Sequence, residues 1–80
     1  MEKRNEMNEE KIKNNIRMIR RGKADITQDE LAHLVGCTRQ TIVALEKERY
    51  SPSLSLALKI ARVLGVSVDE LFNLEQKNED

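Results

Sequence analysis

Aromatic side chains are nearly absent: the 80 residues include one Tyr, one Phe and no Trp. The core must therefore be filled by Leu, Ile, Val and Ala. Cysteine is equally scarce, and the single Cys37 can form neither an internal disulfide nor a thiolate metal site. One Pro and three Gly leave long stretches free of breakers, so a composition rich in Leu, Ile, Ala, Lys, Arg and Glu favours helices over strands. A chain this short holds one domain, and helix packing has to supply its stability.

Other absences limit the function. No apolar run approaches the roughly 20 residues of a membrane span. The N-terminus carries Glu2, Lys3, Arg4 and Glu6 where a signal peptide needs apolar residues. A cytoplasmic protein with no membrane partner is expected, and a free thiol suits a reducing compartment. There is no internal repeat, glycine-rich phosphate loop, metal-ligand cluster or nucleophile elbow. No catalytic residue, metal or cofactor is expected, and the chain does not read as an enzyme. The lone His33, on the polar side of its helix, has no partner in sequence that would make it a base.

What is present is segregated. The formal net charge is zero, yet residues 11 to 62 hold eleven Lys/Arg against five Asp/Glu, while residues 1 to 10 carry −2 and residues 63 to 80 carry −4. The middle of the chain is basic enough to neutralise a few phosphates. Three segments follow: a polar N-terminal extension over 1–10, a folded domain over 11–74 and an acidic tail over 75–80.

Five helices are predicted. Ile12, Ile16 and Ile19, at i, i+4 and i+7, share one face of a first helix that fades near Gly22. Thr27 and Glu30 form a capping box that opens a second, with Leu31, Ala32 and Val35 inward and Gly36 at its end. Thr38 caps a third, with Ile42 and Leu45 inward and Gln40, Val43, Ala44 and Lys47 outward. A Ser51-Pro52-Ser53 turn leads into a fourth that stops at Gly65. It is apolar on nearly every side, with Leu54, Ala57, Leu58 and Ala61 on one face and Leu56, Ile60 and Val63 on another. Ser67 and Glu70 form a second capping box for a short fifth helix bearing Val68, Leu71 and Phe72.

The segment from Thr27 to Glu46, TQDELAHLVGCTRQTIVALE, resembles the helix-turn-helix of the Cro/phage-repressor-like (Xre) family of regulators. The likeness extends over residues 12 to 72, through YSPSL at 50–54, ALKIA at 57–61 and LGVSVDELF at 64–72. It implies an all-α, compact five-helix bundle of the lambda-repressor-like type, with helices two and three forming the helix-turn-helix. It implies in turn a sequence-specific transcriptional regulator of double-stranded DNA, acting as a repressor.

A helix reads DNA when its outward residues reach base edges in the major groove while amides and cations hold the flanking phosphates. The third helix presents Thr38, Arg39, Gln40 and Thr41 at its start, where Gln pairs bidentately with adenine and Arg with guanine. Val43 and Ala44 would accommodate thymine methyl groups. Gln28 resembles the family's phosphate-contacting glutamine, and Lys47, Arg49 and Tyr50 are candidates for further phosphates. Glu48 departs from the pattern, because many members have Gly there and a Glu in a left-handed turn costs up to about 1 kcal/mol. The resemblance also pairs Glu46 with an Arg of the first helix as a structural brace. The partner is Arg20 if one extra residue follows that helix, as the spacing from Thr27 suggests, or Arg21 without that insertion. Cys37, in the turn, is expected to pack.

One such helix touches few bases, so the expected partner is a palindromic operator bound by a homodimer. The surface expected to dimerise is the fifth helix and its apolar continuation, Val68, Leu71, Phe72 and Leu74. The competing class is an interaction module, such as an antitoxin, with DNA binding secondary.

Overall fold

The computed structural model describes residues 11–49 and 51–74, so the expectations for 1–10, for Tyr50 and for 75–80 lie outside the described residues. In chain order the elements are β1 (Ile12–Asn14), α1 (Ile16–Ile19), a π-helical turn (Arg20–Ala24), α2 (Gln28–Val35), α3 (Arg39–Glu46), α4 (Leu54–Leu64), α5 (Val68–Leu71) and β2 (Phe72–Leu74). The five helices stand in the expected order, but the fold is not all-α. β1 and β2 pair antiparallel, with Ile12 opposite Leu74, Lys13 opposite Asn73 and Asn14 opposite Phe72.

That small sheet corrects both ends of the helical reading. Ile12 belongs to a strand, because Asn14 breaks the helix before it begins. Its side-chain carbonyl accepts the Ile16 N–H at 3.1 Å and its amide donates to the Leu45 carbonyl at 2.8 Å. An asparagine that bonds the backbone two residues on offers the chain a turn in place of a helical start. At the other end Phe72 leaves α5 in an extended conformation (φ −125, ψ 147), so Phe72 and Leu74 are strand residues. The Asn15 N–H donates to the Leu71 carbonyl at 2.9 Å, and the Asn15 amide donates to the Glu70 carbonyl at 3.1 Å. Both ends of the domain are thereby closed on one another.

The first helix does not stop at Gly22. It widens into the π-helical turn and leaves it at Asp25, which adopts a left-handed conformation (φ 55). A π-helical turn accommodates one extra residue without breaking the helix, and it carries Arg20 to Glu46, the pairing expected if one more residue follows the first helix. Both capping boxes form: Thr27 and Glu30 exchange bonds of 2.8 and 3.0 Å, and Ser67 and Glu70 bonds of 2.9 and 3.1 Å.

Ile16, Leu31, Ile42, Leu45, Ile60 and Leu71 are fully buried at the centre, one or more from each helix. α4 turns Ala57, Ile60, Ala61 and Leu64 inward and packs against α2. Leu54 and Leu58 therefore face solvent, 71% and 51% exposed, contrary to the face expected for them. A helix apolar on most sides carries no phase information, and the buried stripe is set by the neighbours it meets.

Candidate nucleic-acid interface

α2 and α3 are joined by three residues, Gly36, Cys37 and Thr38, and the turn is built from backbone bonds. Gly36 (φ 80) ends α2 with the Cys37 N–H on the Ala32 carbonyl at 2.9 Å. Thr38 then caps α3, its hydroxyl accepting the Thr41 N–H at 3.1 Å and lying 3.0 Å from the Thr41 hydroxyl. Cys37 is half-buried against the core with its thiol 3.5 Å from the Thr38 carbonyl, and burial pushes its pKa up. A thiol held in its neutral form packs as a small apolar group and reacts slowly.

α3 turns Ile42 and Leu45 into the core, which leaves the opposite face outward. Arg39, Gln40 and Lys47 are exposed on it, Val43 and Ala44 are half-buried, and Arg49 is exposed just beyond the helix. Thr38 and Thr41 stand at the start of the same helix, but their hydroxyls are already engaged in the cap. Open grooves of about 990 Å³ and about 520 Å³ flank this face, and Arg39, Val43 and Lys47 line both. The larger groove runs between α3 and the first two helices, and the smaller lies on the outer face of α3 itself, with Arg39 and Lys47 bordering both.

Behind this face lies a buried charged network. Arg20 Nε donates to Glu46 Oε2 at 2.7 Å and Nη2 to Oε1 at 3.2 Å, while Nη1 donates to the Ile26 carbonyl at 3.0 Å. The two side chains are 8% and 4% exposed, so their charges satisfy one another away from water. The wide π-helical turn brings Arg20 to this place, whereas Arg21 is exposed. Gln28 joins the network: its amide donates to Glu46 Oε1 at 3.0 Å. The side chain expected to reach a phosphate is thus anchored to α3, with its carbonyl oxygen and second amide hydrogen still available.

Beyond α3 the chain turns through Glu48 (φ 59), with the Glu48 N–H on the Leu45 carbonyl at 2.9 Å and the Arg49 N–H on the Ala44 carbonyl at 3.0 Å. This is the helix-ending arrangement that usually takes glycine. The Glu48 carboxylate does not lie idle beside the loop. It accepts the Asn14 N–H at 3.1 Å and stands 3.7 Å from Lys13 Nζ, tying the turn to β1.

Two residues of the larger groove, Arg17 and Arg21, were not expected to face it: the sequence offered Arg21 only as an alternative brace for Glu46, and Arg17 in no role. Their signal was a basic i, i+4 pair on the first helix, outside the motif that drew attention. His33 is exposed on α2, and among the described residues no group of three His, Cys, Asp or Glu side chains is placed to hold a metal ion. No helix of the described residues is long and apolar enough to cross a membrane.

Comparison with known proteins gives the same picture from outside the chain. A family model described as helix-turn-helix matches residues 16–71. An uncharacterized HTH-type transcriptional regulator of Methanothermobacter thermautotrophicus is 60% identical over 52 residues, spanning 64% of this chain and 75% of that protein. The cryptic phage CTXphi transcriptional repressor RstR of Vibrio cholerae is 36% identical over 56 residues, spanning 70% of this chain and 50% of the repressor. Among solved structures, a Bacteroides fragilis protein described as a candidate DNA-binding protein superposes with a TM-score of 0.70 at 29% identity, covering 78% of this chain and 98% of that one.

Proposed function

The chain belongs to the Xre-like helix-turn-helix family of transcriptional regulators, and from that premise we propose that it binds double-stranded DNA sequence-specifically by laying α3 in the major groove. The observation that carries the reading is the outward face of α3. Arg39 and Gln40 stand free at its start, Val43 and Ala44 form a low apolar strip beside them, and Lys47 and Arg49 follow at its end. Arg39 and Gln40 can pair with guanine and adenine edges, and the apolar strip lets the helix approach thymine methyl groups. Gln28, at the N-terminus of α2, and Lys47 and Arg49 hold phosphates on either side. Tyr50, next in sequence, joins them.

Repression is the mode we assign, supported by the likeness to the phage repressor RstR. A bound domain of this size acts most simply by occupying a site that another protein needs. A single α3 reads only a few base pairs, so the functional unit is a homodimer on a palindrome. Leu71 is buried, and Val68 and Phe72 are packed on the core, so of the surface expected to dimerise only Leu74 remains open. Leu54 and Leu58, one turn apart on α4, are the larger exposed apolar pair and the better dimer contact.

Selection from a pool of random duplexes at two salt concentrations tests the proposal. Enrichment of a palindrome with half-sites about one helical turn apart, lost or altered in Gln40→Ala, is the expected result. Binding without a motif, or no binding near physiological salt, defeats it.

A further inference from the structure

The groove beside α3 has a second wall, and that wall is basic. Arg17, on α1, and Arg21, in the π-helical turn, are four residues apart, so both project to the same side of the first helix. Both are exposed, and both line the groove whose other wall carries Gln28, Arg39, Val43 and Lys47. Neither forms an ion pair with another described residue. The groove's acids leave the positive charge in excess. Glu46 is neutralised by Arg20, and Asp25 and Asp29 remain against Arg17, Arg21, Arg39 and Lys47.

Like charges at i, i+4 repel and weaken the helix that carries them. No ion pair among the described residues relieves this repulsion, and a phosphate in the groove beside α3 would. We infer that Arg17 and Arg21 bind backbone phosphates of the duplex read by α3, extending the contact surface from the helix-turn-helix to the first helix. The inference rests on the DNA-binding reading above. It adds to that reading a sequence-independent contact which the motif residues do not include. Arg suits the role because its planar fork meets two phosphate oxygens at once. Because phosphates carry no base identity, the pair strengthens binding to every sequence alike and leaves the preferred motif unchanged.

The test is the salt dependence of binding. The duplex is the one enriched by the intact protein, and the comparison is between that protein and the Arg17→Ala, Arg21→Ala double variant. Alanine is the best helix former and both positions are exposed, so the fold is retained, which unfolding midpoints check. Each phosphate neutralised contributes about 0.9 to the slope of log affinity against log salt, so the double variant should lose about 2 from the magnitude of that slope for each protomer, or about 4 for the dimer on its palindrome. Its motif should be unchanged, and Lys at both positions should restore most of the slope. By contrast, Gln40→Ala should change the motif with the slope intact. An unchanged slope in the double variant overturns the inference while the DNA-binding reading stands. A changed motif with an unchanged slope overturns it too, by making the pair base-reading. Failure of the intact protein to enrich any motif overturns the DNA-binding reading and this inference with it.

Discussion

Replacing Glu48 by glycine should destabilise the domain, although glycine suits the backbone there better than glutamate does. Two effects oppose one another. Glu48 sits at φ 59, and relieving a side chain of a left-handed conformation is worth about 1 kcal/mol. The same substitution removes the carboxylate that accepts the Asn14 N–H at 3.1 Å. A hydrogen bond to a charged acceptor contributes about 1.5–3 kcal/mol, and the Glu48 side chain, 20% exposed, is sheltered enough to keep most of that. Its ion pair with Lys13, at 3.7 Å and 45% exposed on the lysine side, adds no more than about 0.5 kcal/mol. The carboxylate wins, and Glu48→Gly should cost about 1–2 kcal/mol.

Alanine separates the two effects. It keeps the strain and loses the contacts, so Glu48→Ala should cost about 2–3 kcal/mol, and the difference between the two variants measures the left-handed conformation itself. Urea unfolding followed by far-ultraviolet circular dichroism, read as midpoint shifts at constant slope, gives both numbers. A glycine variant as stable as the parent, or more so, would refute the reasoning by showing that the tie to β1 contributes nothing. Equal costs for glycine and alanine would refute the strain argument alone.

Other substitutions follow from the same geometry. Glu46→Ala leaves the buried Arg20 guanidinium without its carboxylate and should cost about 3–5 kcal/mol, whereas Arg20→Met combined with Glu46→Leu should recover most of the loss; unfolding curves of the singles and the double check this. Leu58→Glu, at a half-exposed position, should leave the unfolding midpoint within about 0.5 kcal/mol of the parent and shift sedimentation from dimer to monomer. A variant that unfolds would instead place Leu58 in the core. Cys37 should be alkylated more slowly in the folded protein than in urea at the same pH. Burial raises its pKa above the ordinary 9.0, so the native state keeps the proton that the unfolded state releases, and stability should decline as pH rises through that window. Equal alkylation rates in the two states would rule out a packed thiol.

How far the sequence could be read depended on the distance between cause and effect along the chain. The capping boxes Thr27–Glu30 and Ser67–Glu70 are three-residue events, and they form where they are written. Leu31, Ala32, Val35, Ile42 and Leu45 keep helical period over short runs and are buried as their spacing demands. The strand pair is the opposite case. Ile12–Asn14 meets Phe72–Leu74 from the far end of the chain, and three residues are too few to show an alternating pattern. Ile12 also falls in helical phase with Ile16, so the periodic signal pointed the wrong way, and only the side-chain bonds of Asn14 overrule it. The spacing before Thr27 pointed to Arg20 as the partner of Glu46. What was not visible is the π-helical turn that carries Arg20 there, because that choice depends on where Glu46 waits in three dimensions.

The same network explains how so small a domain can hold the outer face of α3 in a fixed position. A recognition helix of eight residues is only about two turns long, and alone it would not persist in water. Its inner face is fixed by Ile42 and Leu45, its start by the Thr38 cap, and its end by Glu46 and Glu48, which reach in different directions. Glu46 draws Arg20 and Gln28 to it, so the first two helices cannot shift without straining a buried ion pair. Glu48 ties the turn to β1, which is paired with the last strand of the domain. Each glutamate thus joins α3 to a part of the chain distant in sequence. Loosening either one should degrade DNA discrimination before it unfolds the protein, since a displacement of about 1 Å is enough to spoil a bidentate base contact while the apolar core stays closed.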